Sequence, residues 1–160
     1  ESRFSLGAIG LISVIALIIP QATSSLNSRT NNEEIIYSYW EKLDVSAIKP
    51  LVEAGNTVFV DITADWCLTC KVNKSLVLDK AEIVDQMTLP GIVAMRGDWT
   101  KPDPIIAEYL ESFGRYGLPF NVIYGPATPL GLVLPELLSK AAILSGLQQA
   151  RSTADSASKQ

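Results

Sequence analysis

The sequence has no histidine, and its 160 residues include only two cysteines and two methionines. Without histidine, the protein lacks His-activated nucleophiles, His general bases and His metal ligands. Two cysteines alone do not complete a tetrahedral zinc site. A bridge between cysteines so close in sequence also closes too short a loop to stabilise the fold by much. Any chemistry therefore rests on the thiols or on carboxylates.

The chain carries fewer basic than acidic residues, 13 against 17, which gives a formal net charge of −4. This balance argues against a nucleic-acid partner, because binding phosphate requires clustered lysine and arginine. Hydrophobic residues make up 48% of the chain and charged residues 19%. That composition supports a substantial core, and the length suits one domain with appendages.

An apolar run lies near the N-terminus. The segment "FSLGAIGLISVIALII" covers residues 4–19 and ends before Pro20, slightly short of the roughly 20 residues of a full membrane span. We interpret residues 1–20 as the end of a transmembrane helix in a chain cut from a larger protein. A signal peptide, with Arg3 before the run and small residues after it, and a buried core helix are the alternatives. The first two interpretations place the remaining residues outside the cytoplasm.

The remaining sequence divides into a polar linker at 21–32, a domain at 33–150 and a disordered tail at 151–160. The domain opens with "NNEEIIYSYWEKLD", whose apolar spacing predicts a helix with Asn32 as its N-cap. Alternating strands and helices, then a late strand pair joined by a tight turn, predict an α/β fold with a mixed sheet and helices on both faces. The other predicted helices are Ser46 to Ala54, a helix from Cys67, "KAEIVDQM", "PIIAEYLESF" capped by Asp103, and Glu136 to Ala150; the predicted strands are "TVFVDITA", "GIVAMRG", "PFNVIYG" and "LGLVLP".

Both cysteines lie in the stretch "FVDITADWCLTCKVNK", after a predicted buried strand and at the start of a predicted helix. At that position, unpaired backbone N–H groups and the helix dipole stabilise negative charge, which lowers the pKa of Cys67 and favours its reactive thiolate. Cys70 lies one helical turn away, within reach to form a disulfide. We therefore predict a redox pair in which Cys67 attacks a partner disulfide and Cys70 resolves the mixed disulfide. Two ordinary buried cysteines are the alternative.

Two further residues fit this chemistry. Asp61 lies inside the apolar strand, six positions before Cys67, and a buried carboxylate is costly unless it has a function or partners. We predict that Asp61 accepts or relays the proton of Cys70; a hydrogen-bonded structural acid is the alternative. Pro119 immediately precedes a strand, where a cis bond would expose the backbone of Leu118 to an extended substrate. An ordinary strand-start proline is the alternative there.

A family resemblance follows from these motifs. The segments "TADWCLTCKVNK", "GDWTKPDP", "FGRYGLPFNVIYGP" and "LPELL" resemble the C-terminal periplasmic domain of the DsbD-type thiol:disulfide interchange proteins, which has a thioredoxin fold. The nearest branch is the ScsB-like one, linked to copper tolerance. The resemblance covers roughly residues 33–150, and the apolar run at 4–19 matches the last transmembrane helix of such a protein.

The resemblance implies a route for electrons. A membrane-embedded thiol domain, of the same or a partner protein, passes electrons from cytoplasmic thioredoxin to the C-x-x-C pair. The pair then reduces thioredoxin-like or immunoglobulin-like periplasmic proteins, and so their clients. The expected location is the bacterial inner membrane with the catalytic domain in the periplasm, and no cofactor beyond the redox-active disulfide is expected.

The resemblance also assigns roles to residues. Cys67 matches the attacking cysteine, Cys70 the resolving cysteine, Asp61 the buried acid and Pro119 the cis-proline. Trp66 matches the aromatic residue that shields the thiols and, with Leu118, is expected to contact the partner.

One position departs from the family pattern. Related domains can carry a second acid seven positions after the first cysteine, where this chain has Lys74. A cation there would favour the thiolate, whereas a solvent-facing Lys74 would have no effect. Asp65 is expected to cap the redox helix and Asp98 to lie in a turn, and neither is expected to be catalytic.

Two alternatives to a reductase remain open at the level of sequence. A thiol oxidase or isomerase of the same fold would differ from a reductase only in the reduction potential of its cysteine pair. The identities of Leu68 and Thr69, between the cysteines, do not determine that potential. A Cu(I)-binding module is the other alternative, because soft thiolates suit Cu(I). No methionine lies beside the cysteines, so metal binding ranks second.

Overall fold

The computed structural model describes residues 39–151, which form one central sheet with helices on both sides. Strands and helices alternate along the described residues, except that two helices follow the second strand and the last two strands are consecutive before a closing helix. The strands are β1 (Trp40–Lys42), β2 (Thr57–Thr63), β3 (Ile92–Asp98), β4 (Phe120–Gly125) and β5 (Thr128–Val133); the helices are α1 (Val45–Glu53), α2 (Leu68–Asn73), which continues as a π-helical segment over Lys74–Leu78, α3 (Ala81–Met87), α4 (Pro104–Glu111) and α5 (Lys140–Arg151).

The sheet has the strand order β1-β3-β2-β4-β5. β3 runs parallel to both β1 and β2, whereas β4 is antiparallel to β2 and to β5. All seven residues of the central strand β2 are buried, as expected for a strand covered on both faces. The predicted mixed sheet flanked by helices, and the predicted thioredoxin fold, are confirmed.

Two apolar cores lie on opposite faces of the sheet, because successive side chains of a strand point to opposite sides. On one face, Val60 and Ile62 of β2 pack with residues of α1 and α4. On the other face, Phe59 packs with Val77 and Leu78, which follow α2, and with residues of α3 and α5. The second face is therefore the one that the cysteine-bearing helix covers.

A capping signal in the sequence correctly placed the start of α4. The Asp103 side chain accepts hydrogen bonds from the backbone N–H groups of Ile105 and Ile106, which makes it the N-cap of α4 as predicted. Asp44 caps α1 in the same way. The chain leaves α1 through Gly55, whose φ of 90° suits a residue without a Cβ atom.

The prediction of a helix over "NNEEIIYSYWEKLD" is wrong for its second half, because Trp40–Lys42 form the edge strand β1. Parallel pairing of Trp40 with Ala94 places the indole beside Phe59, with ring centroids 6.0 Å apart. Contacts across the sheet thus override the helical spacing. The first half of that prediction, the Asn32 cap and the apolar run at 4–19 lie outside the described residues.

The closing helix begins at Lys140 rather than at the predicted Glu136. The backbone carbonyl of Glu136 and the N–H of Leu138 instead form hydrogen bonds with the side chain of Asn73. Within residues 39–151, the helices are too short or too polar for any of them to span a bilayer.

Candidate active site

Cys67 and Cys70 form a disulfide at the start of α2. Cys67 is the N-cap residue, and its Sγ accepts a hydrogen bond of 3.1 Å from the backbone N–H of Cys70. Both cysteines are buried, with 5% and 2% of their surface exposed. The placement of the pair between a buried strand and a helix is as predicted. An N–H aimed at Sγ stabilises the thiolate that reduction of the disulfide produces.

The disulfide packs against two residues from different parts of the chain. Ala64 follows β2, and Leu118 belongs to the loop that enters β4. The peptide bond between Leu118 and Pro119 is cis, and Pro119 is buried. The fold therefore brings Leu118, from the segment "GLPF", against the cysteines. Pairing of the Leu118 backbone with a substrate stays a prediction.

Exposed apolar side chains flank the buried cysteines in sequence. Trp66 is 62% exposed and Leu68 is 76% exposed, on either side of Cys67. Tyr116, two residues before Leu118, is 77% exposed. Apolar surface of this kind around a reactive group suits contact with another protein. This is the setting that the prediction of Trp66 as a partner-binding residue requires.

Asp61 lies at the centre of β2 with only 3% of its side chain exposed. Its register partners are Arg96 on β3 and Asn121 on β4. Arg96 Nε donates to Asp61 Oδ2 at 2.8 Å, and Asn121 Nδ2 donates to Oδ1 at 2.9 Å. The buried carboxylate thus has a charged and a neutral donor, which offset the cost of removing it from water.

An aromatic ring covers the cation of this pair. The Arg96 Cζ atom lies 3.8 Å from the centroid of the Trp40 ring, a cation–π contact. Tyr39 packs beside Trp40 with ring centroids 5.0 Å apart, and burial raises the pKa of Tyr39 to about 12, so its hydroxyl stays protonated. The sequence interpretation did not single out Arg96. Its signal was a lone arginine in the apolar segment "GIVAMRG".

Lys74 is half-buried rather than freely solvated. Burial lowers the pKa of Lys74, and the charge of Arg96 lowers it further, while the charges of Asp61, Asp79 and Asp98 oppose that shift. Burial also raises the pKa of Asp79, against the attraction of Arg96 and Lys74. Lys74 is therefore part of the charged group around Asp61, and its effect on Cys67 stays a prediction.

The two other acids have local structural roles. The predicted capping of the redox helix by Asp65 is wrong, because Cys67 is the N-cap; the Asp65 backbone N–H instead donates to the hydroxyl of Thr100. The prediction of Asp98 as a turn residue is wrong, because Asp98 is the last residue of β3; its side chain accepts a hydrogen bond from the backbone N–H of Thr100 just beyond the strand. Hydrogen bonding to Thr100 holds the pKa of Asp98 below its ordinary value.

Metal-binding side chains do not cluster in the part of the chain that the structure describes. No group of three or more histidine, cysteine, aspartate or glutamate residues there is arranged to hold a metal ion.

The fold and the cysteine pair define a class of protein. Residues 40–126, more than half of the chain, match the family model described as thioredoxin-like. The chain belongs to the thioredoxin-like family.

Within that family, the similar curated proteins are of the DsbD type, which confirms the resemblance seen in the sequence. The chain is 31% identical over 81 residues to thiol:disulfide interchange protein DsbD 1 of Pseudomonas aeruginosa, covering 51% of this chain and 13% of that protein. It is 30% identical over 74 residues to DsbD of Vibrio cholerae, covering 46% of this chain and 12% of that protein. The chain thus spans a small part of the length of these relatives.

Solved structures show the same fold. The oxidised C-terminal domain of DsbD from Neisseria meningitidis superposes with a TM-score of 0.53 at 19% identity, covering 66% of this chain and 91% of that domain. A thioredoxin from Thermus thermophilus gives a TM-score of 0.53 at 18% identity, and the superposition covers 69% of this chain and 84% of that thioredoxin.

Proposed function

We propose that this chain is a protein-disulfide reductase domain that works by thiol:disulfide interchange. The observation that carries this proposal is the Cys67–Cys70 disulfide at the start of α2, with the Cys70 N–H directed at Cys67 Sγ. The proposal is supported by the names of the similar DsbD proteins, which are thiol:disulfide interchange proteins.

The reaction balances with the groups present. In the reduced form, the Cys67 thiolate attacks a partner disulfide, and one partner sulfur leaves as a thiolate. Cys70 then attacks Cys67, which releases the second partner sulfur and forms the Cys67–Cys70 disulfide. Two electrons have moved to the partner, and a donor dithiol must return two electrons before the next cycle.

The proposed donor is a membrane-embedded thiol domain, and the proposed acceptors are thioredoxin-like or immunoglobulin-like periplasmic proteins. This assignment is supported by the similarity to DsbD and by the apolar run at 4–19. The proposed location of the domain is the periplasmic side of a bacterial inner membrane. A chain that begins at residue 26 should then remain folded and soluble, whereas aggregation of that chain would assign the apolar run to the core.

A redox titration of the cysteine pair tests the direction of electron flow. The fraction of disulfide is measured across glutathione buffers of defined ratio. A reductase should have a potential near the thioredoxin value of about −270 mV or a little above it. A potential near about −120 mV would identify a strong oxidant and reverse the proposed direction.

Two cysteine variants test the order of attack. Cys70→Ser should accumulate a stable mixed disulfide at Cys67 with oxidised thioredoxin as the probe, visible by mass spectrometry. Cys67→Ser should form no such adduct at a comparable rate. An adduct that forms equally well in Cys67→Ser would contradict the assignment of Cys67 as the attacking residue.

A further inference from the structure

The outer side of the helix that carries the cysteines is apolar, although it faces solvent. Leu68 is 76% exposed and Leu76 is 62% exposed, and Val72, midway between them, is partly exposed. The three residues are spaced four apart, so they lie along one side of α2 and of the π-helical segment that follows it. Together they form an apolar stripe, the outer stripe.

The core of the domain does not account for the outer stripe. The opposite side of the same helix already faces the core through Cys70, Val77 and Leu78, which are buried. A helix that packs on a sheet with one side normally carries polar and charged residues on the other. Aliphatic side chains in a row on the solvent side are instead typical of a surface that another molecule covers.

A further apolar side chain lies beside this helix. Leu137 is 64% exposed, and the residues before and after it, Glu136 and Leu138, are both hydrogen-bonded to the side chain of Asn73 on α2. The exposed apolar surface is therefore wider than one row of helix residues.

The same helix is locally basic on an acidic chain. Leu68–Leu78 contains Lys71 and Lys74 but no acid, whereas the whole chain has a net charge of −4. Lys71 is exposed and lies three residues after Leu68, at the border of the outer stripe. Among the described residues, no carboxylate forms a salt bridge with Lys71. A partner with acidic groups along that border is therefore favoured.

The position of the outer stripe indicates what covers it. Leu68 directly follows Cys67 at the start of α2, and Leu76 lies about 12 Å farther along the helix axis. A molecule that covers the stripe from end to end also reaches Cys67, where disulfide exchange requires a partner sulfur. A protein with a disulfide meets this requirement, whereas a lipid bilayer has no sulfur to offer.

We propose that the outer stripe and Lys71 form a docking surface for the protein whose disulfide Cys67 attacks. The partner presents an amphipathic segment, with an apolar ridge about 12 Å long and carboxylates on the side that meets Lys71. This inference rests on the proposed function and extends the contact beyond the residues that pack on the disulfide. Leu76 is too far from the sulfurs to act on them directly, so it should affect only partners that extend along the helix.

The test uses synthetic disulfide probes that differ in length and charge. Two long probes carry an internal cystine followed by an amphipathic helix with leucines spaced four apart; glutamates flank the leucines in one probe and lysines in the other. A short probe contains the cystine segment alone. The reduced full-length chain is mixed with each probe, and the second-order rate constant of disulfide reduction is measured.

Leu76→Gln should slow reduction of the glutamate-flanked probe about fivefold, a loss typical of one truncated contact residue, and should leave the short probe unchanged. Leu76→Met keeps the apolar surface and should retain the natural rate. Ile105→Gln is the matched control, because Ile105 is 63% exposed on α4, which packs on the other face of the sheet. No slowing in Leu76→Gln, or equal slowing in Ile105→Gln, would overturn the proposal.

The charge requirement is tested by salt. Lys71→Gln should slow reduction of the glutamate-flanked probe at about 10 mM salt but not at about 1 M, where charges at the edge of an interface are screened. Lys49→Gln, which removes an 84% exposed cation from α1, should have no such effect. A lysine-flanked probe that reacts with the natural chain as fast as the glutamate-flanked probe at low salt would contradict the proposal.

Other occupants of the surface would give different results. Unchanged rates in Leu76→Gln together with weaker binding to phosphatidylglycerol vesicles would assign the outer stripe to a bilayer. Unchanged rates together with loss of a dimer in sedimentation would assign it to a second copy of this chain. Either result would overturn the proposal. A natural chain that fails to reduce even the short probe would instead refute the proposed reductase function.

Discussion

The side chain of Asn73 joins the redox helix to the segment that follows β5. Asn73 Nδ2 donates to the carbonyl of Glu136 at 2.8 Å, and its Oδ1 accepts from the N–H of Leu138 at 3.0 Å. Asn73 is only 2% exposed and lies three residues after Cys70. One amide thus satisfies two backbone groups and fixes the far side of the helix that carries the cysteines.

Replacing Asn73 by alanine should lower the free energy of unfolding by about 2 kcal/mol, because it leaves the buried N–H of Leu138 and the partly buried carbonyl of Glu136 without their partner. Urea unfolding of both chains measures the difference. Asn56→Ala is the control, since its side chain makes one bond, to the carbonyl of Leu51, at a partly buried position. An unchanged free energy of unfolding in Asn73→Ala would show that water replaces the Asn73 amide at no cost, and losses of equal size in the two variants would show that the two Asn73 bonds are worth no more than the single bond of Asn56.

Lys74→Glu should raise the pKa of the reduced Cys67 thiol. The change replaces a cation by an anion within a group that already contains Asp61 and Asp79, and added negative charge disfavours a thiolate. The rate of alkylation by iodoacetamide, measured against pH, reports that pKa. Lys49→Glu on α1 is the matched control. An unchanged profile in Lys74→Glu would remove Lys74 from the mechanism.

Asp79 should destabilise the folded chain when it is ionised, whereas a carboxylate paired with a cation stabilises the folded chain when it is ionised. Because burial raises its pKa in the folded state above the ordinary value of 3.8, the folded chain binds the proton more tightly than the unfolded chain. This contribution to stability is present below that ordinary value and is lost as the pH rises through the folded pKa.

Asp79→Asn should therefore be more stable than the natural chain at neutral pH, by less than about 1 kcal/mol because the group is only half-buried. The difference should vanish below about pH 3, where the aspartate is protonated in both states. Unfolding by urea at both pH values measures it. Lower stability of Asp79→Asn at neutral pH would mean that attraction to Arg96 and Lys74 outweighs burial.

Trp66→Ala should slow reduction of a protein disulfide, oxidised thioredoxin, by about tenfold, the loss typical of an aromatic residue at an interface. Its reaction with dithiobisnitrobenzoate should change little, because that probe makes few protein contacts. Leu130→Ala is the control, since Leu130 is 89% exposed on the edge strand β5. Equal slowing in both variants would show that Trp66 contacts no partner.

Much of the fold followed from short-range signals in the sequence. The buried strand at "TVFVDITA", the helix at the cysteines and the Asp103 cap depend on residues within one or two turns of one another. The edge strand β1 was missed because the helical spacing of its residues gives way to pairing with β3. The predicted start of α5 at Glu136 is wrong because the side chain of Asn73, more than 60 residues earlier, forms hydrogen bonds with the Glu136 carbonyl and the Leu138 N–H.

The sequence by itself determined the chemistry: no histidine, one pair of cysteines at the start of a helix, and an acid in the preceding strand. These features are local, so the chain order alone places them together. Only the tertiary structure decided what surrounds the acid. Arg96 and Asn121 reach Asp61 through strand register, at sequence separations of 35 and 60 residues. Register depends on the packing of the whole sheet, which no short segment specifies.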